Sequence, residues 1–152
     1  MLHFYGVLAL NQYERNYHFF QNEIKEQRSP KDITYQDKIW TVDFNGTFIQ
    51  KEEGAQLLTD KQKDFQNDRE YLIALYSLVA ENIKDYISED SFLLLDNGKE
   101  VFIYNATPLY CSRREDGEIY ISSDSKSFLG KHFSILKEHS SLLFYNNNLK
   151  TL

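Results

Sequence analysis

The chain has 152 residues, a formal net charge of -6 and a sequence pI near 5.2. Hydrophobic residues make up 41% and aromatic residues 15% of it, so residues 1–152 fit one folded domain, and a disordered protein is excluded. The acidic balance, with no stripe of Lys and Arg, argues against nucleic acid or an anionic membrane as partner.

The cysteine and histidine content and the N-terminal apolar run narrow the class of protein further. One cysteine, Cys111, excludes a disulfide framework, and the four histidines have no zinc-ligand spacing, so we expect neither a metal nor a cofactor. The apolar N-terminal run lacks the basic leader and small-residue cleavage site of a signal peptide, and it is too short to span a membrane. These features predict a cytoplasmic protein in a reducing setting.

The first half of the chain is predicted to hold a strand, a helix and a hairpin. Residues 1–10 form an apolar run of β-prone residues, typical of a buried strand. Asn11 can cap a helix whose apolar positions 13, 17, 20 and 24 follow helical spacing, and which ends before Pro30. Residues 39–44 and 47–50 fit two strands joined by a tight turn at Asn45-Gly46, and residues 51–63 leave room for a short helix.

The second half is predicted to be a long helix followed by an antiparallel meander. Asn67 followed three positions later by Glu70 favours the start of a helix over residues 68–87, whose apolar residues share one broad face. Strands are predicted over residues 91–95, 100–104, 108–112, 118–122 and 141–145, with a short helix over 125–129 and a polar tail from Asn146. The element order predicts an α+β domain.

Several segments, in the same order along the chain, resemble the glutaminase domain of class II glutamine amidotransferases, a family of N-terminal-nucleophile enzymes. The segment Met1-Leu-His-Phe-Tyr-Gly6 lies where that family has Met-Cys-Gly-Ile-x-Gly, and Arg28-Ser-Pro-Lys-Asp32 resembles its Arg-Gly-Pro-Asp-Asp stretch. Phe44-Asn45-Gly46 resembles its Asn-Gly-Glu turn, and Asn67-Asp68-Arg69-Glu70 its Ser-Asp-Thr-Glu helix start.

The later part of the chain carries the most specific likeness. Pro108-Leu-Tyr110 is similar to the family's Lys-Pro-Leu-Tyr-Tyr, and residues 116–129 are similar to its Gly-Glu-Leu-Tyr-Phe-Ala-Ser-Glu-x-Lys-Ala-Leu. The resemblance is dispersed but collinear and covers nearly the whole chain. It implies the fold of the N-terminal-nucleophile hydrolases, a four-layer αββα sandwich with two antiparallel sheets face to face and helices outside.

The resemblance also implies where the chemistry of the family would lie. In the family a Cys thiol attacks the side-chain amide of glutamine, its α-amine moves the proton, and an Asn side chain and a Gly backbone N–H hold the oxyanion. Asn45 and Gly46 match the oxyanion positions, and Asp68 matches the acid that pairs with the α-ammonium of the substrate. The competing structural interpretations are a plain turn at Asn45-Gly46 and a helix cap at Asp68.

Three parts of the family's machinery are missing. Leu2 stands at the vacated position of the nucleophile, so covalent catalysis is lost and no catalytic residue is predicted. The segment between Asp32 and Trp40 is several tens of residues shorter than in the family and lacks the arginine motif that binds the carboxylate of the substrate. Residues 104–107 stand where the family has a longer Arg-Asp-x-x-Gly loop.

Three functions follow from this combination. The first is a catalytically inactive binding or regulatory module, whose partner is a protein or a small amide or amino-acid ligand. The amino-acid composition, which fits an AT-rich genome, and the small size of the domain would suit a protein of a virus or mobile element. The second is an amidase with a relocated nucleophile, exposed by internal cleavage or supplied by Cys111 with His3 or His139 as base, although a lone strand cysteine more often packs as a small hydrophobe. The third is an amino-acid or amide sensor using Asn45, Gly46 and Asp68.

Overall fold

A computed structural model describes residues 2–8, 16–21, 26–28, 31–58, 67–106, 108–113, 119–123, 132–136, 140–145 and 148–151. In chain order the strands are β1 (Leu2–Leu8), β2 (Asn16–Gln21), β3 (Glu26–Arg28), β4 (Lys31–Tyr35), β5 (Lys38–Asn45), β6 (Phe92–Asp96), β7 (Glu100–Asn105), β8 (Leu109–Arg113), β9 (Ile119–Ser122), β10 (Ser134–Leu136), β11 (Ser140–Tyr145) and β12 (Asn148–Thr151). The helices are α1 (Lys51–Leu58) and α2 (Asp68–Val79), and a 3-10 helix spans Ala80–Tyr86.

The strands of the described residues form two six-stranded sheets in which every pairing is antiparallel. The first sheet has the order β10-β8-β9-β1-β2-β3, and the second has the order β12-β11-β7-β6-β5-β4. The predicted α+β fold with antiparallel sheets is confirmed. No helix in the described residues is long and apolar enough to cross a membrane.

β6 is buried along its whole length because both faces of the second sheet are covered. Successive side chains of a strand point to opposite faces, and β6 accordingly divides its residues between two cores. Phe92 and Leu94 belong to the inter-sheet core, which also contains residues of β8 and β9 and so joins the two sheets. Leu93 and Leu95 belong to the helix-side core, together with α2 residues such as Leu72 and Leu75.

α2 begins as the capping pattern predicts. The Asn67 side chain accepts a hydrogen bond of 3.0 Å from the backbone N–H of Glu70, which satisfies one of the unpaired donors of the first turn. The predicted single helix over 68–87 is wrong in its second half, because Ala80 has a φ of 52° and the chain continues as the 3-10 helix. Ile83 and Ile87 still reach the helix-side core, so their spacing fits both conformations.

The predicted helix after Asn11 is also wrong, because Asn16–Gln21 and Glu26–Arg28 are strands. Their residues include the aromatic residues Tyr17, Phe19 and Phe20, which suit a strand as well as a helical face. Pairing of β2 with β1 over six residue pairs decides in favour of the strand. The predicted helix over 125–129 lies outside the described residues. α2 packs on β4 and β5 of the second sheet, and α1 packs against α2.

The connections between strands differ from the prediction in three places. The predicted hairpin at Asn45-Gly46 is wrong, because β5 pairs with β6 and residues 47–50 contribute only an isolated bridge between Phe48 and Ile87. Part of the predicted polar tail is the strand β12, which pairs with β11. Sequence analysis also missed β4, which is joined to β5 by a two-residue turn at Gln36 and Asp37, both with positive φ.

Candidate ligand-binding site

Asn45 is the last residue of β5 and lies at the inter-sheet face of the second sheet. Trp40 and Val42 belong to the helix-side core and Phe44 packs against it, so the alternation of the strand places Asn45 on the opposite face. Its neighbours across the sheet are Phe92 and then Asn105, both buried, whereas Asn45 itself is exposed. The side-chain amide of Asn45 is therefore exposed, whereas its two neighbours across the sheet are buried.

Gly46 is explained by the close approach of Ser91. A Cβ on Gly46 would overlap the Oγ and Cβ of Ser91 and lie 2.8 Å from its Cα. Ser91 is fully buried, and its Oγ lies 2.7 Å from the Oγ of Ser88, which also accepts a hydrogen bond of 3.2 Å from the N–H of Thr47. Because these bonds hold Ser91 in place, packing alone requires glycine at position 46.

Asp68 is the first residue of α2, and its carboxylate is engaged by a lysine of the same chain. The Nζ of Lys51, the first residue of α1, lies 3.3 Å from Oδ1 of Asp68. The helix cap is Asn67 and not Asp68. The side chains of Lys51 and Asp68 are 55% and 66% exposed, so this ion pair is open to solvent.

Two aromatic rings complete the surroundings of the lysine. The Nζ of Lys51 lies 4.9 Å from the ring centroid of Phe48 and 5.8 Å from that of Tyr71, distances at which a cation is attracted by the face of an aromatic ring. The two rings contact each other edge to face at 5.3 Å, and Phe48 also contacts Phe44 at 4.9 Å. We call Phe48, Lys51, Asp68 and Tyr71 the Lys51 cluster.

Tyr71 gives the Lys51 cluster a fixed wall. It is only 3% exposed, and burial raises the pKa of its hydroxyl, an effect to which nearby Tyr86 adds. Its hydroxyl also lies so close to Gly54 of α1 that a Cβ there would overlap it. The hydroxyl therefore stays neutral at physiological pH, and the only anion of the Lys51 cluster is Asp68.

Leu2 and Asn45 belong to different sheets. Leu2 is the first residue of β1 in the first sheet and pairs with Gln21 of β2, whereas Asn45 ends a strand of the second sheet. Among the described residues, Gly46 lies against Ser91, and Asp68 contacts Lys51. The roles assigned to Asn45, Gly46 and Asp68 stay predictions.

Cys111 is poorly suited to nucleophilic chemistry. It is buried in the inter-sheet core, and burial raises the pKa of its thiol although a backbone hydrogen bond at Ser134 and the charge of Arg113 act in the opposite direction. A protonated, buried thiol is not an effective nucleophile. His139 lies outside the described residues, and the described residues contain no cluster of three or more His, Cys, Asp or Glu side chains that could hold a metal ion.

Lys51 is the residue of this site that sequence reasoning missed. It falls in a polar stretch, and its partner Asp68 is 17 positions later in the chain. Helical spacing brings together residues three or four apart, so no local pattern marks a pair at this separation.

Comparisons with known proteins give a likeness in structure but not in sequence. No protein-family profile and no curated protein matches the chain. Among solved structures, glutamine phosphoribosylpyrophosphate amidotransferase from B. subtilis, in complex with ADP and GMP, is similar with a TM-score of 0.55 and 16% identity, over 98% of this chain and 42% of that chain. A predicted glutamine amidotransferase from Pseudomonas aeruginosa PA01 is similar with a TM-score of 0.47 and 8% identity, over 97% of this chain and 86% of that chain.

This chain thus spans less than half the length of the B. subtilis chain. At so low an identity the similarity concerns architecture alone, since one fold can host unrelated functions. The chain shares the fold of the matched part of the B. subtilis amidotransferase.

Proposed function

We propose that the protein is a catalytically inactive, amidotransferase-like binding or regulatory module, whose partner is a protein or a small amide or amino-acid ligand. The observation that carries the proposal is the contact of 3.3 Å between Lys51 and Asp68. The resemblance implies that Asp68 is the acid for the α-ammonium of glutamine. Here an ammonium of the chain itself contacts Oδ1 of that carboxylate, so an incoming amino acid competes with Lys51 for it.

The shape of the second sheet supports the same conclusion. In the family a long segment between the positions of Asp32 and Trp40 carries the arginine that binds the carboxylate of the substrate. In this chain β4 pairs directly with β5, and only Gln36 and Asp37 connect them. The described segment supplies no arginine in that interval, so the second charged anchor for glutamine is missing as well.

The residues that remain of the oxyanion site do not by themselves require a substrate. Gly46 is accounted for by its packing on Ser91, and Asn45 offers an exposed amide that can serve a new ligand. Leu2 has no nucleophilic atom, and the burial of Cys111 disfavours it as a replacement. Binding without covalent chemistry is therefore the function that these residues support best; a cytoplasmic setting and a viral or mobile-element origin belong to the same proposal.

Intact-mass spectrometry of the protein, expressed from Met1 without an N-terminal tag, tests the loss of catalysis. We expect the mass of the full chain from Met1 to Leu152, and the same mass after incubation with a millimolar glutamine-analogue electrophile. A chain beginning at Ser, Thr or Cys, or an adduct formed by the folded protein, contradicts the proposal. The variant Cys111→Ala serves as the control, because an adduct that it abolishes identifies Cys111 as the relocated nucleophile.

A further inference from the structure

We propose that Asn97-Gly98, in the turn between β6 and β7, is a self-modification site, at which the folded protein accelerates the deamidation of its own Asn97. Asn-Gly sequences are prone to this reaction in general, because glycine has no Cβ to hinder attack by its backbone nitrogen. The chain contains two such dipeptides, Asn45-Gly46 and Asn97-Gly98. The groups around the second one meet the needs of each step of the reaction, and the inference does not rest on the proposed binding function.

The reaction joins the backbone nitrogen of Gly98 to the side-chain carbonyl carbon of Asn97. The nitrogen gives up its proton and bonds to Cγ, which leaves an oxyanion at Oδ1. The oxyanion collapses and the side-chain nitrogen, protonated, leaves as ammonia, so a succinimide ring closes. Water then adds to one of the two ring carbonyls and opens the ring to aspartate or isoaspartate. The net change consumes one water and releases one ammonia, and nothing is oxidised or reduced.

The carbonyl that is attacked is held by two backbone donors. Oδ1 of Asn97 accepts hydrogen bonds of 2.9 Å from the N–H of Lys99 and 2.8 Å from the N–H of Glu100. Two preorganised N–H donors draw electron density from the carbonyl carbon and stabilise the oxyanion that forms on addition of a nucleophile. The turn therefore activates Cγ of Asn97 as an electrophile.

The attacking nitrogen contacts a carboxyl group that can take its proton. The N–H of Gly98 donates a hydrogen bond of 2.8 Å to Oδ1 of Asp96, a residue that is only 6% exposed. A carboxylate at this distance acts as a general base while the new bond forms. Gly98 itself is exposed, and nothing lies within 4 Å of a Cβ built on it, so water can reach the ring and ammonia can leave.

The other dipeptide provides an internal control, because the fold holds it in a different way. Asn45 pairs with Phe92 at the end of β5, and Gly46 lies against the fully buried Ser91. The N–H of Thr47 is bonded to the Oγ of Ser88. Ring closure at Asn45 would require residues 45–47 to leave these contacts, so folding should slow the reaction there.

Incubation in heavy-oxygen water at neutral pH, followed by peptide mapping with mass spectrometry, tests the inference, because ring opening puts one solvent oxygen into the product. The rate of label uptake is measured at both dipeptides, in the folded protein and in the protein unfolded by guanidinium chloride. We expect Asn97 to react at least about tenfold faster in the folded protein than in the unfolded chain. Asn45 should react more slowly in the folded protein than in the unfolded chain.

The variant Asp96→Asn keeps the size of the side chain and removes the base. It should lower the folded-state rate at Asn97 at least about tenfold and leave the rate at Asn45 unchanged. Asp85→Asn, which removes an exposed carboxylate of the 3-10 helix, is the matched control and should react as wild type.

A rate at Asn97 that is equal or lower in the folded protein overturns the inference, as does a folded-state rate that Asp96→Asn leaves unchanged. The comparison of folded and unfolded wild type needs no variant, so it decides the question even where Asp96→Asn does not fold.

Discussion

At the scale of single residues, Gly46 is selected by packing rather than by backbone conformation. The variant Gly46→Ala places a Cβ against the Oγ, Cβ and Cα of Ser91, which is fully buried and hydrogen-bonded in place. We expect it to lower the free energy of unfolding by about 1–3 kcal/mol, the usual cost of overpacking. Urea denaturation monitored by circular dichroism measures the change.

Gly98 provides a control of the opposite kind. Nothing lies within 4 Å of a Cβ built there, but its φ of +91° is one that side chains rarely adopt. Gly98→Ala should therefore lower the stability of the protein through backbone strain alone. Adding Ser91→Gly should restore part of the stability lost in Gly46→Ala, because it removes the overlapping side chain. The same second change should restore nothing in Gly98→Ala. A Gly46→Ala protein as stable as wild type would refute the packing explanation.

Tyr76 is predicted to make the protein sensitive to alkali. Burial raises the pKa of its hydroxyl well above the ordinary value near 10, and the charges of Glu100 and Glu81 act in the same direction. The folded protein then keeps a proton that the unfolded chain releases, so stability is complete below the unfolded-state pKa and falls as pH rises above it. Burial raises the pKa of Tyr35, Tyr71, Tyr104 and Cys111 in the same direction.

Urea midpoints measured from about pH 8 to about pH 11 should therefore decrease, with the steepest change above the ordinary tyrosine pKa. Tyr76→Phe should reduce this slope, because one of the retained protons is removed. Equal slopes for the two proteins would show that Tyr76 does not contribute.

At the scale of elements, α1 depends on a glycine at a position where helix propensity disfavours it. Alanine at an exposed helix interior is about 1 kcal/mol better than glycine. At Gly54, however, an added Cβ overlaps the hydroxyl of Tyr71, which is buried against Phe48. Gly54→Ala should therefore destabilise the protein.

The double-mutant cycle with Tyr71→Phe isolates this contact. Without the hydroxyl the overlap is removed, although Cζ of residue 71 at 3.3 Å and Cδ1 of Tyr86 at 3.4 Å still lie close to the added Cβ. Gly54→Ala should therefore be clearly less destabilising in the Tyr71→Phe background than in wild type, since the helix propensity of alanine then offsets part of the remaining cost. If Gly54→Ala has the same effect in both backgrounds, the close approach of α1 and α2 is not the reason for the glycine. Thermal and urea denaturation of the four proteins give the cycle.

The same scale shows which elements a sequence can reveal. The start of α2 was predicted because Asn67 and Glu70 form a local capping pattern, and the turn after β6 because Asp96 and Asn97 accept backbone hydrogen bonds within two or three residues. β2 was mistaken for a helix because its aromatic residues fit both periods and only its pairing with β1 decides. β10 and β12 are edge strands. β10 has three residues and β12 is mostly polar, so neither shows the apolar alternation from which a strand is predicted.

The candidate site was predictable to a smaller extent. Asn45, Gly46 and Asp68 came from a resemblance between short segments, which assigns positions but not contacts. Lys51 lies in none of these segments, and its contact with Asp68 depends on how α1 and α2 pack. Contacts between elements are fixed by the core, so they follow from the fold and not from local sequence.

At the scale of the whole molecule, β6 and β7 tie the two cores together. Each strand sends alternate residues into the inter-sheet core and the helix-side core, as Ile103 and Phe102 do in β7. If either core is lost, one face of β6 and one face of β7 become exposed. We therefore expect the two cores to unfold in one transition. The chain carries one probe in each: Trp40, its only tryptophan, on the helix side and Cys111, its only cysteine, between the sheets.

Tryptophan fluorescence and thiol accessibility should therefore give the same urea midpoint. Leu94→Ala, which creates a cavity only in the inter-sheet core, should shift both midpoints together, with a cost of about 2–5 kcal/mol. Thiol exposure at a lower urea concentration than the fluorescence change would instead indicate two independently unfolding layers.

The two-residue connection between β4 and β5 has a consequence for chain length. Gln36 and Asp37 are both exposed, and their positive φ values are ones that Asn and Gly adopt more readily. The strands on either side keep their register through their own pairing, from Lys31 with Val42 to Tyr35 with Lys38. Lengthening the turn costs loop-closure entropy that grows only slowly with the number of added residues. A fluorescent or affinity peptide inserted between Gln36 and Asp37 can therefore report on partners of the folded protein while leaving both termini and the Lys51 cluster untouched.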